Sequence, residues 1–169
     1  MTKTLVNSTG VINYVFAAGE FASGQVSVAV PSYRGVENPF GHIWKWTDGV
    51  NVYTANGITT VYTTGDITKF ADNTSTDYTQ RCSFVKPSNG YIKTWNWDSY
   101  GDFIPTSTGG SDSSYLYDYS YWADGWRVLY SGGCSDYGAR CGWFCFGAGD
   151  GSGDSSARVG GRLYYTPAE

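Results

Sequence analysis

No stretch of this chain repeats apolar residues at i, i+3, i+4 and i+7 over three turns, and that absence limits its fold more than any motif does. Without such a stripe a helix has no face to bury, so the core must come from strands and the turns between them. The residue supply agrees: seven Trp and 15 Tyr fit pleated, half-buried surfaces, and 23 Gly fit tight turns. At 169 residues the chain can bury a core without staples, and we read 1–169 as a single loop-rich domain. Residues 1–30 stand apart as an N-terminal strand and extension, with alternation at Val26-Ser-Val-Ala-Val30.

Charge narrows the function classes. The formal net charge is −4 and no Lys/Arg cluster occurs, so the cations that a nucleic-acid reader needs for phosphates are missing. No apolar run approaches the roughly 20 residues of a membrane helix, so no membrane insertion is expected. The segment from Met1 to Gly10 lacks the apolar core of a signal peptide. The spacing of Cys82, Cys134, Cys141 and Cys145 is neither a disulfide framework nor a zinc pattern, which predicts four free thiols. His42, the only histidine, sits among Phe40, Ile43 and Trp44 and reads as an interior residue.

Along the chain, Ile43, Trp44 and Trp46 are expected to anchor the core. Residues 50–55 and 59–63 form a hairpin about Asn56-Gly57. Residues 71–79 read as a polar loop, and 106–114 as a connector after Trp95 and Trp97. The composition then shifts. Asn occurs eight times up to Asn96 and never in the 73 residues that follow, while Lys stops at Lys93 and Gln at Gln80. Residues 115–158 are built mainly from Tyr, Ser, Gly, Asp, Ala, Cys and Arg. Changing only the two adenines of an Asn codon reaches these residues, and cannot reach Lys, Glu, Gln, Met or Trp. The same set suits recognition, because Tyr gives a large contact at low rotamer cost while Ser, Gly and Asp adapt their hydrogen bonds. Alternation through 142–149 puts Phe144, Phe146 and Ala148 on a core face, with Cys145, Gly147 and Gly149 on a replaceable outer face.

Five segments occur in an order that carries a resemblance. They are Asn38-Pro-Phe-Gly-His-Ile-Trp-Lys-Trp-Thr-Asp48, Gly125-Trp-Arg-Val128, Gly132-Gly133, Gly138-Ala-Arg-Cys-Gly142 and Val159-Gly-Gly-Arg-Leu163. Over residues 31–165 the chain resembles the C-type-lectin-fold variable proteins of diversity-generating retroelements, in the branch akin to formylglycine-generating enzymes. The resemblance implies an α+β C-type lectin fold, loop-rich, with small antiparallel sheets and few helices. It also implies a variable segment over about 115–163, rewritten by a reverse transcriptase that errs at adenines.

By position, the ligand-binding variable residues are then Tyr121, Asp124, Tyr130, Asp136, Tyr137, Arg140, Cys145, Gly147, Gly149, Asp150, Asp154, Ser156 and Arg158. Of these, Asp154, Ser156 and Arg158 lie near the closing strand, at the periphery. Trp122, Trp126 and Trp143 cannot arise from Asn by adenine change and go to the scaffold, as do Arg127, Cys141, Gly160 and Arg162. The function implied is a diversified receptor-binding or surface-displayed module, on a virion such as a phage tail or fibre, or on a cell surface. Its partner is a protein or glycan on a bacterial surface, with no cofactor and no metal.

Two other classes fit the residues less well. A calcium-dependent lectin needs six to eight oxygen ligands, and Asp150-Gly-Ser-Gly-Asp154 offers two carboxylates. A formylglycine-generating-type oxidase holds copper on a cysteine pair, for which Cys141 and Cys145 are the nearest match. No Ser/His/Asp or Cys/His set accompanies them, so the expected protein is not an enzyme.

Overall fold

The computed structural model describes residues 10–15, 27–33, 36–37, 39–97, 103–113 and 118–161. Two compact units divide the chain, residues 1–40 and 41–169, so the first reaches ten residues beyond the extension set apart in the sequence. The first unit holds a three-stranded antiparallel sheet of β1 (Gly10–Val15), β2 (Ser27–Tyr33) and β3 (Val36–Glu37), in that order. Val26 lies outside the described residues, but the alternation it opens continues into β2.

The second unit is built on one nine-stranded sheet. Its strands are β4 (Trp44–Ala55), β5 (Ile58–Thr63), β6 (Thr79–Val85), β7 (Gly90–Trp97), β8 (Phe103–Thr108), β9 (Tyr119–Trp122), β10 (Gly125–Ser131), β11 (Phe146–Ala148) and β12 (Val159–Gly160). They run in the order β6-β5-β4-β10-β11-β9-β7-β8, with β12 paired to the start of β4. Among the described residues the only helical segments are 3₁₀ turns at Ile67–Lys69 and Ser135–Arg140. The chain is therefore mostly strand, loop-rich and poor in helix, as the missing helical stripe requires.

The β4–β5 hairpin turns at Asn56-Gly57, both at positive φ (51° and 74°), as its two-residue loop requires. The sequence-predicted connector at 106–114 starts late, because Thr106–Thr108 belong to β8. Pro105, which has no N–H to donate, is tolerated there because β8 ends the sheet.

Sheet organisation departs from the expected small antiparallel sheets. β9 and β10 follow one another in sequence, but β11 lies between them, antiparallel to β10 and parallel to β9. β12 is likewise parallel to β4. After β10 the chain loops out through residues 132–145 and returns into the gap, which lays that loop across one face of the sheet. Only Phe146–Ala148 of the expected 142–149 strand is extended in the sheet; residues 142–145 form a turn instead.

Alternation sorts the sheet into two apolar layers. Val52, Val61, Ile104, Trp122, Leu129, Phe146 and Ala148 form the main core. Tyr130, next to Leu129, points the other way and joins Trp44 with Cys134 and Cys145 of the 132–145 loop in a second buried cluster. On β4 the parity changes once. Leu129 pairs with Thr47 and Val128 with Asn51, so residues 48–50 are a bulge. Gly49 carries it at φ 76°, where an added Cβ would lie 2.6 Å from the Thr64 carbonyl oxygen. The bulge lets Trp44 and Trp46 serve the second layer while Val50 and Val52 serve the first.

Candidate ligand-binding face

The second layer is aromatic because β4, β9 and β10 each place an aromatic side chain on it, while β11 supplies Gly147. Trp44 comes from β4, Tyr121 from β9 and Tyr130 from β10, and Tyr137 descends from the 135–140 turn. The Trp44 ring meets those of Tyr121, Tyr130 and Tyr137 edge-on at centroid distances of 5.9, 5.0 and 5.9 Å. Trp46 adds an edge contact to Tyr130 at 5.2 Å. Such T-shaped pairs fix ring orientation as well as burying area.

Above these rings opens a cavity of about 260 Å³, lined by Trp44, Tyr121, Tyr130, Tyr137, Gly149 and Asp150, with Asn89, Trp122 and Ala123 at its side. Asn89 is held there, because its side-chain oxygen accepts the Trp122 backbone N–H at 2.7 Å. The Tyr130 hydroxyl donates to the Asp150 carboxylate. Burial holds the Asp150 carboxyl above its ordinary pKa, reinforced by the Asp154 charge and opposed by Arg127 and Arg158. Burial also pushes the Tyr121 phenol up to about 12, against the nearby Arg140 guanidinium. The buried Tyr121 hydroxyl has no well-formed hydrogen bond among the described residues.

The thirteen sequence-predicted residues fall into distinct places. Tyr121, Tyr130, Tyr137, Gly149 and Asp150 line the cavity. Arg140 lies on its flank, with its guanidinium carbon 4.9 Å from the centroid of the Tyr119 ring. Asp136 and Arg158 form an exposed ion pair at 3.4 Å, beside Ser156, whose hydroxyl accepts the Arg158 N–H. Asp154 accepts the Gly151 N–H at 2.7 Å and closes the 151–154 turn. Asp124 stands apart from the cavity, paired with Lys86 at 2.8 Å.

Several expectations are corrected. Cys145 is only 1% exposed, packed with Trp44, Tyr130 and Cys134 rather than displayed. Gly147 is buried under the Tyr130 ring, and of Gly147 and Gly149 only Gly149 lines the cavity. Tyr130 is 2% exposed and forms the cavity floor rather than a projecting contact. The reason is common to all three. The 132–145 loop folds back so that Cys134 and its own Cys145 pack with Tyr130, whose ring in turn covers Gly147, and strand alternation cannot reveal that return. Trp143, assigned to the scaffold, is half exposed. Cys141 is half-buried, its Sγ donating to the Cys134 carbonyl at 3.0 Å. His42 is exposed, with its backbone carbonyl accepting the Ser135 N–H at 3.1 Å. Trp126 does pack as scaffold, 4.7 Å from Tyr53 and 5.8 Å from Tyr62. Gly160 abuts Ile43, and Arg162 lies outside the described residues.

One residue that positions the face carries no local sequence signal. Asp118, just before β9, accepts the Phe144 N–H at 2.8 Å and the Cys145 N–H as well. It thereby ties the 142–145 turn to the next strand. A Cβ at Gly142 would fall on this carboxylate, so the turn admits only glycine there.

All four cysteines are free thiols. Burial pushes the Cys145 thiol far above the usual range, aided by Cys141 and Asp118, and pushes Cys141 up as well. A thiol-exchange reagent should therefore leave Cys134 and Cys145 untouched in the native protein and titrate all four in guanidinium chloride. Labelling of Cys145 at the unfolded rate would contradict this packing. Among the described residues no group of three or more His, Cys, Asp or Glu side chains is placed to hold a metal ion. No helix of the described residues is long and apolar enough to cross a membrane.

No family model, curated protein or solved structure gives a significant match to this chain.

Proposed function

We propose that this chain is a diversified ligand-binding protein with a C-type lectin fold, whose replaceable face recognises a protein or glycan on a bacterial surface. It would act from a phage tail or fibre, or from a cell surface, by passive binding rather than catalysis, with no cofactor. One observation carries the reading. Tyr121, Tyr130, Tyr137, Gly149 and Asp150 are all reachable from Asn codons by adenine change, and they come from four separate segments to line a single cavity. A merely Tyr- and Gly-rich loop has no reason to gather its residues in this way. The site is also preorganised, because the rings brace one another and little side-chain freedom remains to be lost on binding.

Buried replaceable positions alter how diversity would act. Changes at Tyr137, Gly149 and Asp150 remodel the mouth of the cavity, whereas changes at Tyr130 or Gly147 remodel its floor. Sequencing the gene and its surroundings from many members of the source population tests the proposal. The expected result is a near-repeat of the 3′ end beside a reverse-transcriptase gene, with substitutions confined to the repeat's adenines. They should be concentrated in the codons for the cavity residues. An invariant 3′ end with no such repeat would leave a lectin or structural domain of fixed specificity.

A further inference from the structure

We propose that the cavity is an aromatic cage for an organic cation, taking an alkylated ammonium group. The inference rests on the binding reading above and names its ligand class. Aromatic rings from Trp44, Tyr121, Tyr130 and Tyr137 line the space, and the one charged residue in its lining is Asp150, a carboxylate. The negative faces of aromatic rings attract a cation held against them, most strongly where water is excluded. The opposite ligand class fits poorly. An anion would meet the Asp150 charge and phenol oxygens, and no Lys or Arg lines the cavity to receive it. The Arg140 guanidinium lies outside this lining, over the Tyr119 ring and drawn to the Tyr121 hydroxyl.

The cage also has acceptors suited to such a ligand. Tyr130 donates its hydroxyl proton to Asp150, which aims that carboxylate at the rings. The Asp150 oxygens are the acceptors open to a ligand, since Asp150 is exposed at the cavity mouth. At about 260 Å³ the cavity has room for a trimethylammonium group and part of its tether, and not for an extended oligosaccharide. Trp44 cannot be reached from Asn by adenine change, so the cage keeps one fixed wall while its tyrosines remain replaceable.

The test is a titration of the whole chain with choline and with its neutral carbon isostere, 3,3-dimethylbutan-1-ol, followed on the Trp indole N–H resonances. Choline should saturate and bind at least about tenfold tighter than the isostere. Asp150→Asn, an exposed change that keeps an acceptor for Tyr130, should weaken choline several-fold and leave the isostere alone. Tyr137→Ala should weaken choline further. Its thermal unfolding, run in parallel, shows whether the variant is folded. Equal binding of the two probes, or saturation by neither, overturns the cation cage. A panel of neutral oligosaccharides on the same protein separates the two levels of argument. If one of them binds and Tyr137→Ala abolishes it, the binding reading stands and only the cation inference falls.

Discussion

Gly147→Ala should destabilise the protein by about 1–3 kcal/mol, and the penalty should largely vanish when Tyr130 is also replaced by Ala. The Cβ added at Gly147 would lie 2.5 and 2.6 Å from two carbons of the Tyr130 ring and 3.3 Å from the Trp44 ring. Tyr130 cannot swing aside cheaply. Trp44 and Trp46 hold its ring edge-on at 5.0 and 5.2 Å, and its hydroxyl is bonded to Asp150. Tyr130→Ala alone should cost about 3–5 kcal/mol, because it opens a void in a close-packed layer. In the double variant the methyl enters that void, so the two effects should fall short of their sum by about 1–2 kcal/mol. Urea unfolding of the four proteins closes the cycle. Additivity within about 0.5 kcal/mol would mean that the ring relaxes freely, and that floor and strand are not coupled. Coupling has a functional corollary. If both positions are rewritten in nature, large residues at 147 should accompany small ones at 130.

Parity made much of this face legible. The alternation of Phe146 and Ala148 against Gly147 correctly separated two faces, since the pleat dictates it, whereas Phe144 and Cys145 fall in the turn before the strand. What parity cannot say is which face meets solvent. The 132–145 loop doubles back to thread β11 between β9 and β10, and this non-local event buries Cys145, Gly147 and Tyr130. Codon reasoning has a similar limit. It separates Trp143 from the replaceable residues, yet says nothing of burial, and half of Trp143 is exposed. The β4 bulge did have a local signal, since Asp48-Gly49 interrupts an apolar alternation, and a glycine inside a strand marks such a site. Asp118 had none. Its partners lie 26 and 27 residues further on, and nothing around it distinguishes it from the chain's other aspartates.

Asp118→Ala should be among the costliest single changes away from the main core, at about 2–4 kcal/mol, because it strands two backbone N–H donors in a partly buried turn. Those donors, from Phe144 and Cys145, hold the turn that launches β11. Asp118→Asn keeps an acceptor and should cost less, and it also isolates the role of charge. Burial raises the Asp118 pKa, and the two backbone hydrogen bonds only partly offset it. The sign follows from linkage. A carboxyl whose folded pKa lies above its unfolded value contributes stability in full below the unfolded pKa, near 3.8, and loses it as pH rises through the folded pKa. Between those two values the wild type should therefore lose stability with rising pH on account of this group, and Asp118→Asn should lack that component. Asp150, raised chiefly by burial and Asp154, adds a slope of the same sign, so the variant's curve should flatten without becoming level. Urea midpoints measured from pH 3 to 7 for both proteins decide the matter. Parallel curves would mean that the carboxylate is as well solvated in the fold as outside it. The 142–145 turn would then be held by its glycine geometry, and not by the charge at its base.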